Sequence, residues 1–200
     1  MLEDNRGWWD KLRRPSARYS VLTLLAIGFV AGVVALGGFL GELKATAQES
    51  FCISCHEMRE NVYEEYKNTA HFSNKSGVRA TCADCHLAED LLPKMARKVA
   101  ASREVFHKIM GTINTKEKFE EHRLTMAKRV WEGMKANDSR ECRSCHDGKS
   151  MDYSKQSRRA REQHIKGDNE GLTCIECHKG IAHRLPDMRE IDPSAVIIVQ

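Results

Sequence analysis

The chain has 200 residues, 41% hydrophobic and 30% charged, with a formal net charge of +4 and a mean hydropathy of −0.54. These values exclude a long disordered chain, a collagen-like fibre and a multi-span transporter, and the mild, mixed charge gives no electrostatic footprint for nucleic acid. The apolar share is uneven: fifteen of the twenty residues 21–40 are apolar, and what remains is thin for a self-sufficient core. Eight cysteines and nine histidines are the obvious place to look for whatever else fills the interior.

Residues 1–20 read as a short cytoplasmic N-terminus and 21–40 as a transmembrane anchor. Val21 to Leu40 carries no charge, and Thr23 is its only polar side chain. At about 1.5 Å per residue, twenty residues span roughly 30 Å, the thickness of the hydrocarbon core. Lys11, Arg13, Arg14 and Arg18 precede the span, and only Lys44 follows it closely. The positive-inside rule therefore places the N-terminus in the cytoplasm and the residues after the span outside. Ala45-Thr46-Ala47 resembles a signal cleavage site, but the apolar run exceeds the roughly 7–15 residues of a signal peptide, which favours an uncleaved anchor. Trp8 and Trp9 suit an interfacial belt or a short cytoplasmic helix. Gly28 and Gly32 are spaced to let a second helix approach, a route to homo-oligomers.

All eight cysteines fall in four C-x-x-C-H patterns: Cys52 and Cys55 with His56, Cys82 and Cys85 with His86, Cys142 and Cys145 with His146, Cys174 and Cys177 with His178. This is the attachment pattern of c-type haem. Two thiols add to the two vinyl groups along one porphyrin edge, and the next residue turns an imidazole to the iron. Zinc and disulfides also use C-x-x-C pairs, but neither requires a histidine directly after each second cysteine. Four covalent haems would also supply the apolar bulk that the side chains lack.

The motifs recur in pairs, which reads as duplication of a dihaem unit. Cys52 and Cys82 are 30 residues apart, Cys142 and Cys174 are 32 apart, and His71 and His164 stand at matching positions before the second and fourth motifs. The expected organisation is a first dihaem unit over 41–90, a helical connector over 91–138, and a second dihaem unit with the tail over 139–200. The fold class expected is mostly α with extensive loops: one transmembrane helix and a multihaem cytochrome c domain. Within the connector, Leu92, Met95, Val99, Phe106, Ile109 and Ile113 keep helical spacing. Gly111 weakens or ends that helix, and a second starts near Asn114 or Thr115. The stripe serves either a core or a membrane interface.

Four irons have up to eight axial positions, and the motif histidines fill four. His164 and His183 then serve the two haems of the second unit, and His71 serves the first unit, which is left short by one ligand. Met58 is the nearest soft donor to the first motif. His107 and His122 read as solvent-facing or packing residues on the connector.

Phe51-Cys52-Ile53-Ser54-Cys55-His56-Glu57-Met58, Ser76-Gly77-Val78-Arg79-Ala80-Thr81-Cys82 and Cys174-Ile175-Glu176-Cys177-His178-Lys179-Gly180 give the chain a resemblance to the NapC/NirT family of membrane-anchored tetrahaem quinol dehydrogenases. The resemblance runs from the anchor to Pro186 and is greatest to the branch serving periplasmic nitrate reductase. It implies quinol oxidation at the outer surface of the cytoplasmic membrane, beside the first haem, and electron transfer to a soluble periplasmic reductase. It implies Met58 as ligand of the first haem and His71, His164 and His183 as distal ligands. Where many relatives carry a further histidine after the second motif, this chain has Glu89. Lys98 and Glu104 are the nearest matches to the lysine and acidic residue of related quinol sites. Quinol releases two protons with two electrons, so such a site needs a proton acceptor. Ligand shortage near the membrane favours this reading over a passive tethered relay between redox proteins.

At most about 3.3–3.6 Å of extended chain per residue links Leu40 to Cys52, which keeps the first motif near the interface.

Overall fold

The structure, a computed structural model, describes residues 18–188. Lys11, Arg13, Arg14 and the Trp8–Trp9 pair lie outside the described residues. Among those described the chain is helical and contains no strand. It divides into two compact units, Met1–Ala45 and Thr46–Gln200.

The first unit contains helix α1, Val21–Ala45, long and apolar enough to cross a membrane. It is five residues longer than the uncharged run, because Gly41-Glu42-Leu43-Lys44 continues the helix through a polar turn that ends on a basic residue, favourable at a helix C-terminus.

The second unit opens with α2, Glu49–Cys52. A π-helical stretch over Met58–Tyr63 then runs into α3, Glu64–Tyr66. The second motif forms α4, Cys82–His86. The connector is two helices, α5 over Leu91–Ile109 and α6 over Lys116–Ala136. Pro93 sits in the first turn of α5, where a missing N–H costs nothing. Gly111, at φ +66°, ends the α5 segment, and Thr115 caps α6 by accepting the Lys118 N–H at 3.3 Å. Then follow α7 over Arg140–Arg143, two 3₁₀ turns at Gly148–Ser150 and Tyr153–Lys155, α8 over Arg158–Glu170 and α9 over Cys174–Cys177.

Few side chains form a core. The buried apolar residues among those described are Tyr66, Ala88, Phe119 and Ile175, far short of what holds a domain of this length. Polar groups do part of the work. Buried Arg123 on α6 donates to Glu65 at 2.6 and 2.9 Å, to Glu120 at 2.8 and 3.0 Å and to the Arg184 carbonyl at 3.1 Å, while the Arg184 N–H donates to Glu65 at 2.9 Å. This cluster ties the segment before the second motif, the connector and the C-terminal loop together.

Candidate haem sites

The four motifs are built in different ways. The second and fourth open short helices behind a threonine. The Asp84 carboxylate accepts the Thr81 N–H at 2.6 Å and its hydroxyl at 2.8 Å; Glu176 does the same for Thr173 at 2.8 and 3.1 Å. Shared T-C-x-[acid]-C-H chemistry thus produces the same capping box twice. The third motif starts behind two successive left-handed residues, Asp138 at φ 56° and Ser139 at φ 50°. They turn the chain sharply from α6 into α7. Fully buried Ser139 accepts the Ile175 N–H at 3.1 Å, joining the third motif to the fourth. The first motif instead ends a helix and leads into the π-helical stretch that carries Met58. Such insertions are rare and gather at functional sites.

The motifs meet in chain order. Helices α2 and α4 pack together, as do α4 and α7, while α9 packs on α6. Cys52 and Cys82 lie close enough to perturb one another's thiols. Cys85 lies within electrostatic reach of Cys142 and Cys145, and Cys142 within reach of Cys174. The four attachment points therefore form one continuous row.

The histidines pair across that row. His71 faces His146 with ring centres 6.2 Å apart, His86 faces His183 at 6.3 Å, and His164 faces His178 at 5.9 Å. These spacings match two imidazoles on opposite sides of one metal: two bonds of about 2.0 Å plus about 1.1 Å from each nitrogen to its ring centre give about 6.2 Å. Burial holds His71, His178 and His183 below the ordinary histidine pKa, with the partner histidine adding to the effect for His71 and His178; it takes His86 down to about 4. All four are thus kept neutral, the form that binds metal. The Nδ1 atoms of His71 and His183 are buried without a hydrogen-bond partner. The chain's own contacts hold the rings in place. Tyr66 donates its hydroxyl to the carbonyls of His71 and Ala80. Gln156 meets His164 Nδ1 at 2.6 Å, and Tyr153 stacks on its ring. The donor set and spacing fit axial ligation of haem iron. A zinc centre finds no support: among the described residues no three His, Cys, Asp or Glu side chains gather on one point. No disulfide joins any of the eight cysteines.

This pairing differs from the accounting within each dihaem unit. His71 meets the third motif rather than one of its own unit, and His183 returns from the C-terminal loop to the second. The histidine facing the second motif thus comes from the C-terminal loop and not from the residues around Glu89. His56 is the one motif histidine not in such a pair among the described residues, and Met58 follows it by two positions. His107 and His122 bond locally, to Thr112 Oγ1 at 3.2 Å and the Lys118 carbonyl at 2.9 Å.

Around the first motif, Lys98 hydrogen-bonds the Thr46 hydroxyl and lies near enough to Cys52 to lower its thiol pKa. Glu104 is 61% exposed and pairs with Arg97 at 2.7 Å. Six residues at about 100° each set Lys98 and Glu104 about 120° apart on the helix. Sequence reasoning missed Glu57, which lies between His56 and Met58, is buried, and takes Lys108 at 2.7 Å. The available signal was its place inside the motif stretch. A cavity of about 100 Å³ between the second and third motifs is lined by acidic Asp84, Glu89, Asp90 and Glu141 together with Arg140.

The chain is similar in sequence to known proteins. A family model described as NapC/NirT cytochrome c family, N-terminal region, matches residues 14–188. The denitrification system component NirT of Stutzerimonas stutzeri is 58% identical over 88% of this chain and 88% of its own length. The cytochrome c-type protein NapC of Escherichia coli K12 is 53% identical over 93% of this chain and 91% of its own. The cytochrome c-type protein TorC of the same strain is 47% identical over 92% of this chain but only 47% of its own length. Four C-x-x-C-H motifs in one row, three histidine pairs at metal-spanning distance and a family match over nearly the whole length lead to one conclusion: the chain belongs to the NapC/NirT cytochrome c family.

Proposed function

We propose that this chain is a quinol dehydrogenase fixed in the cytoplasmic membrane by α1, with its haem domain in the periplasm. It takes electrons from membrane quinol and delivers them to a soluble terminal reductase, nitrate reductase in the first instance. The observation that carries this reading is the singular first motif: His56 stands outside the imidazole pairs while Met58 lies two residues on, in a π-helical stretch. Methionine in place of a second histidine raises an iron's potential, which suits the site that must accept electrons first. The resemblance to the nitrate reductase branch and the NapC relatives support the choice of partner.

Cys52 and Cys55, Cys82 and Cys85, Cys142 and Cys145, and Cys174 and Cys177 would each hold one haem c. His56 and Met58 at the first motif, His86 and His183, His146 and His71, and His178 and His164 would hold the four irons. Bound haem supplies reversible one-electron chemistry at each site. Lys98, beside the first motif, orients the quinol oxygen through its ammonium. Glu104, whose carboxylate is open to water, accepts a quinol proton and passes it to solvent.

Reduction of the membrane-reconstituted protein by a quinol analogue tests this. Wild type is reduced rapidly, and Glu104→Gln slows reduction about a hundredfold, the scale of a lost general base, with dithionite reduction intact. No reduction of wild type by quinol, with full reduction by dithionite, identifies a passive tethered relay instead.

A further inference from the structure

Helix α5 is amphipathic the wrong way round for a water-soluble domain. A helix on a globular surface turns its apolar stripe to the core and its charges to water. Here Leu92, Val99 and Ile109 are 77%, 73% and 78% exposed, and Phe106 and Met110 are exposed beside them. At about 100° per residue these five lie within one arc of about 100°. Away from this arc Lys94, Arg97 and Ala101 are half-buried, as are Lys98 at its edge beside Ile109 and Met95 within it. Charged side chains grip the first motif, through Lys98 near Cys52 and through Lys108 on Glu57. The contacts to the first motif therefore leave from the charged residues of α5 and not from its apolar stripe.

The geometry points to the occupant: α5 lies in the headgroup–acyl boundary of an anionic bilayer, with Leu92, Val99, Phe106, Ile109 and Met110 against the acyl chains. Three observations select a lipid surface. The stretch 91–110 has five basic residues and one acidic, Glu104, which complements anionic headgroups. Arg103 stands exposed at the margin of the stripe, where an interfacial helix places its cations. Thr46, the first residue after the apolar helix α1, is fastened to Lys98 midway along α5. A second copy of the chain fits less well: a two-fold contact through this face brings the same basic stretch against itself. Five large side chains on one exposed arc also exceed the isolated apolar residues normal on a monomer surface. This inference does not depend on the quinol reading, since a passive relay would need the same seat.

The test uses the full-length, haem-loaded chain in nanodiscs of phosphatidylethanolamine and phosphatidylglycerol containing a phospholipid with a photoactivatable diazirine on its acyl chain. After irradiation, peptides are mapped by mass spectrometry, with α1 as internal control. Lipid adducts are expected on α5 at Leu92, Val99, Phe106 and Ile109, and at most a tenth as many on the polar side. Arg103→Glu is expected to reduce the α5 adducts severalfold while leaving those on α1 unchanged. Labelled α1 with unlabelled α5 overturns the proposal, as do protein–protein cross-links through α5 in place of lipid adducts.

Discussion

A histidine after a C-x-x-C pair is half of a ligand set, and the other half is chosen by whatever the fold brings opposite it. His183 is five residues from His178 in sequence, yet its ring stands 6.3 Å from His86. The turn that sends it there begins at Gly180, at φ +78°, where an added Cβ would lie 2.8 Å from Leu185 Cγ. Only glycine accepts both that backbone and that approach without strain. His71→Ala, His164→Ala and His183→Ala should each keep four attached haems and convert one from low spin to high spin, because attachment rests on the cysteines. The triple variant should retain no bis-histidine signal in electron paramagnetic resonance. A variant with an unchanged spectrum would remove that histidine from the ligand set.

At the level of elements, a buried charge cluster ties together segments among which few apolar side chains are buried. Arg123, on the second turn of α6, reaches Glu65 before the second motif and the Arg184 carbonyl next to His183. Removing one partner of a buried pair leaves the others desolvated without compensation. Arg123→Met should therefore destabilise the haem domain by about 3 kcal/mol, at the lower end of the buried-pair range because Glu120 is partly exposed. Denaturant unfolding followed at the haem absorbance measures this. A loss within the range of exposed pairs, below about 1 kcal/mol, would show that the cluster is ornamental. The same substitution should loosen the loop holding His183, so high-spin signal should rise before the midpoint of unfolding.

Over the whole molecule, the motifs run in one row and the chain splits into an apolar helix and a haem domain. Export of residues 46–200 behind a cleavable signal should yield a soluble protein. Its mass under denaturing conditions should equal the polypeptide plus four haems; the bare polypeptide mass would refute covalent attachment. The soluble form should still pass electrons to its reductase but respond poorly to membrane quinol, since it has lost its anchor. Full quinol-dependent turnover would show that the anchor does not position the site.

The sequence by itself determined everything that depends on neighbours along the chain. The apolar span from Val21, the four C-x-x-C-H motifs, the helix boundary at Gly111 and the Thr115 cap all follow from local chemistry: hydropathy, thiol spacing, left-handed backbone and side-chain capping. The family could be read there too, because its most specific stretches are contiguous. Only the tertiary structure decided which histidine faces which motif. His71 and His183 leave their own dihaem units to pair with the third and second motifs, a choice made by the Arg123 cluster and by the packing of α4 on α7. The outward stripe of α5 was equally hidden: periodicity shows that a helix has an apolar side, but the direction of that side depends on which long-range contacts its charged side makes. Lys98 on Thr46 and Lys108 on Glu57 are those contacts, 52 and 51 residues away in the chain.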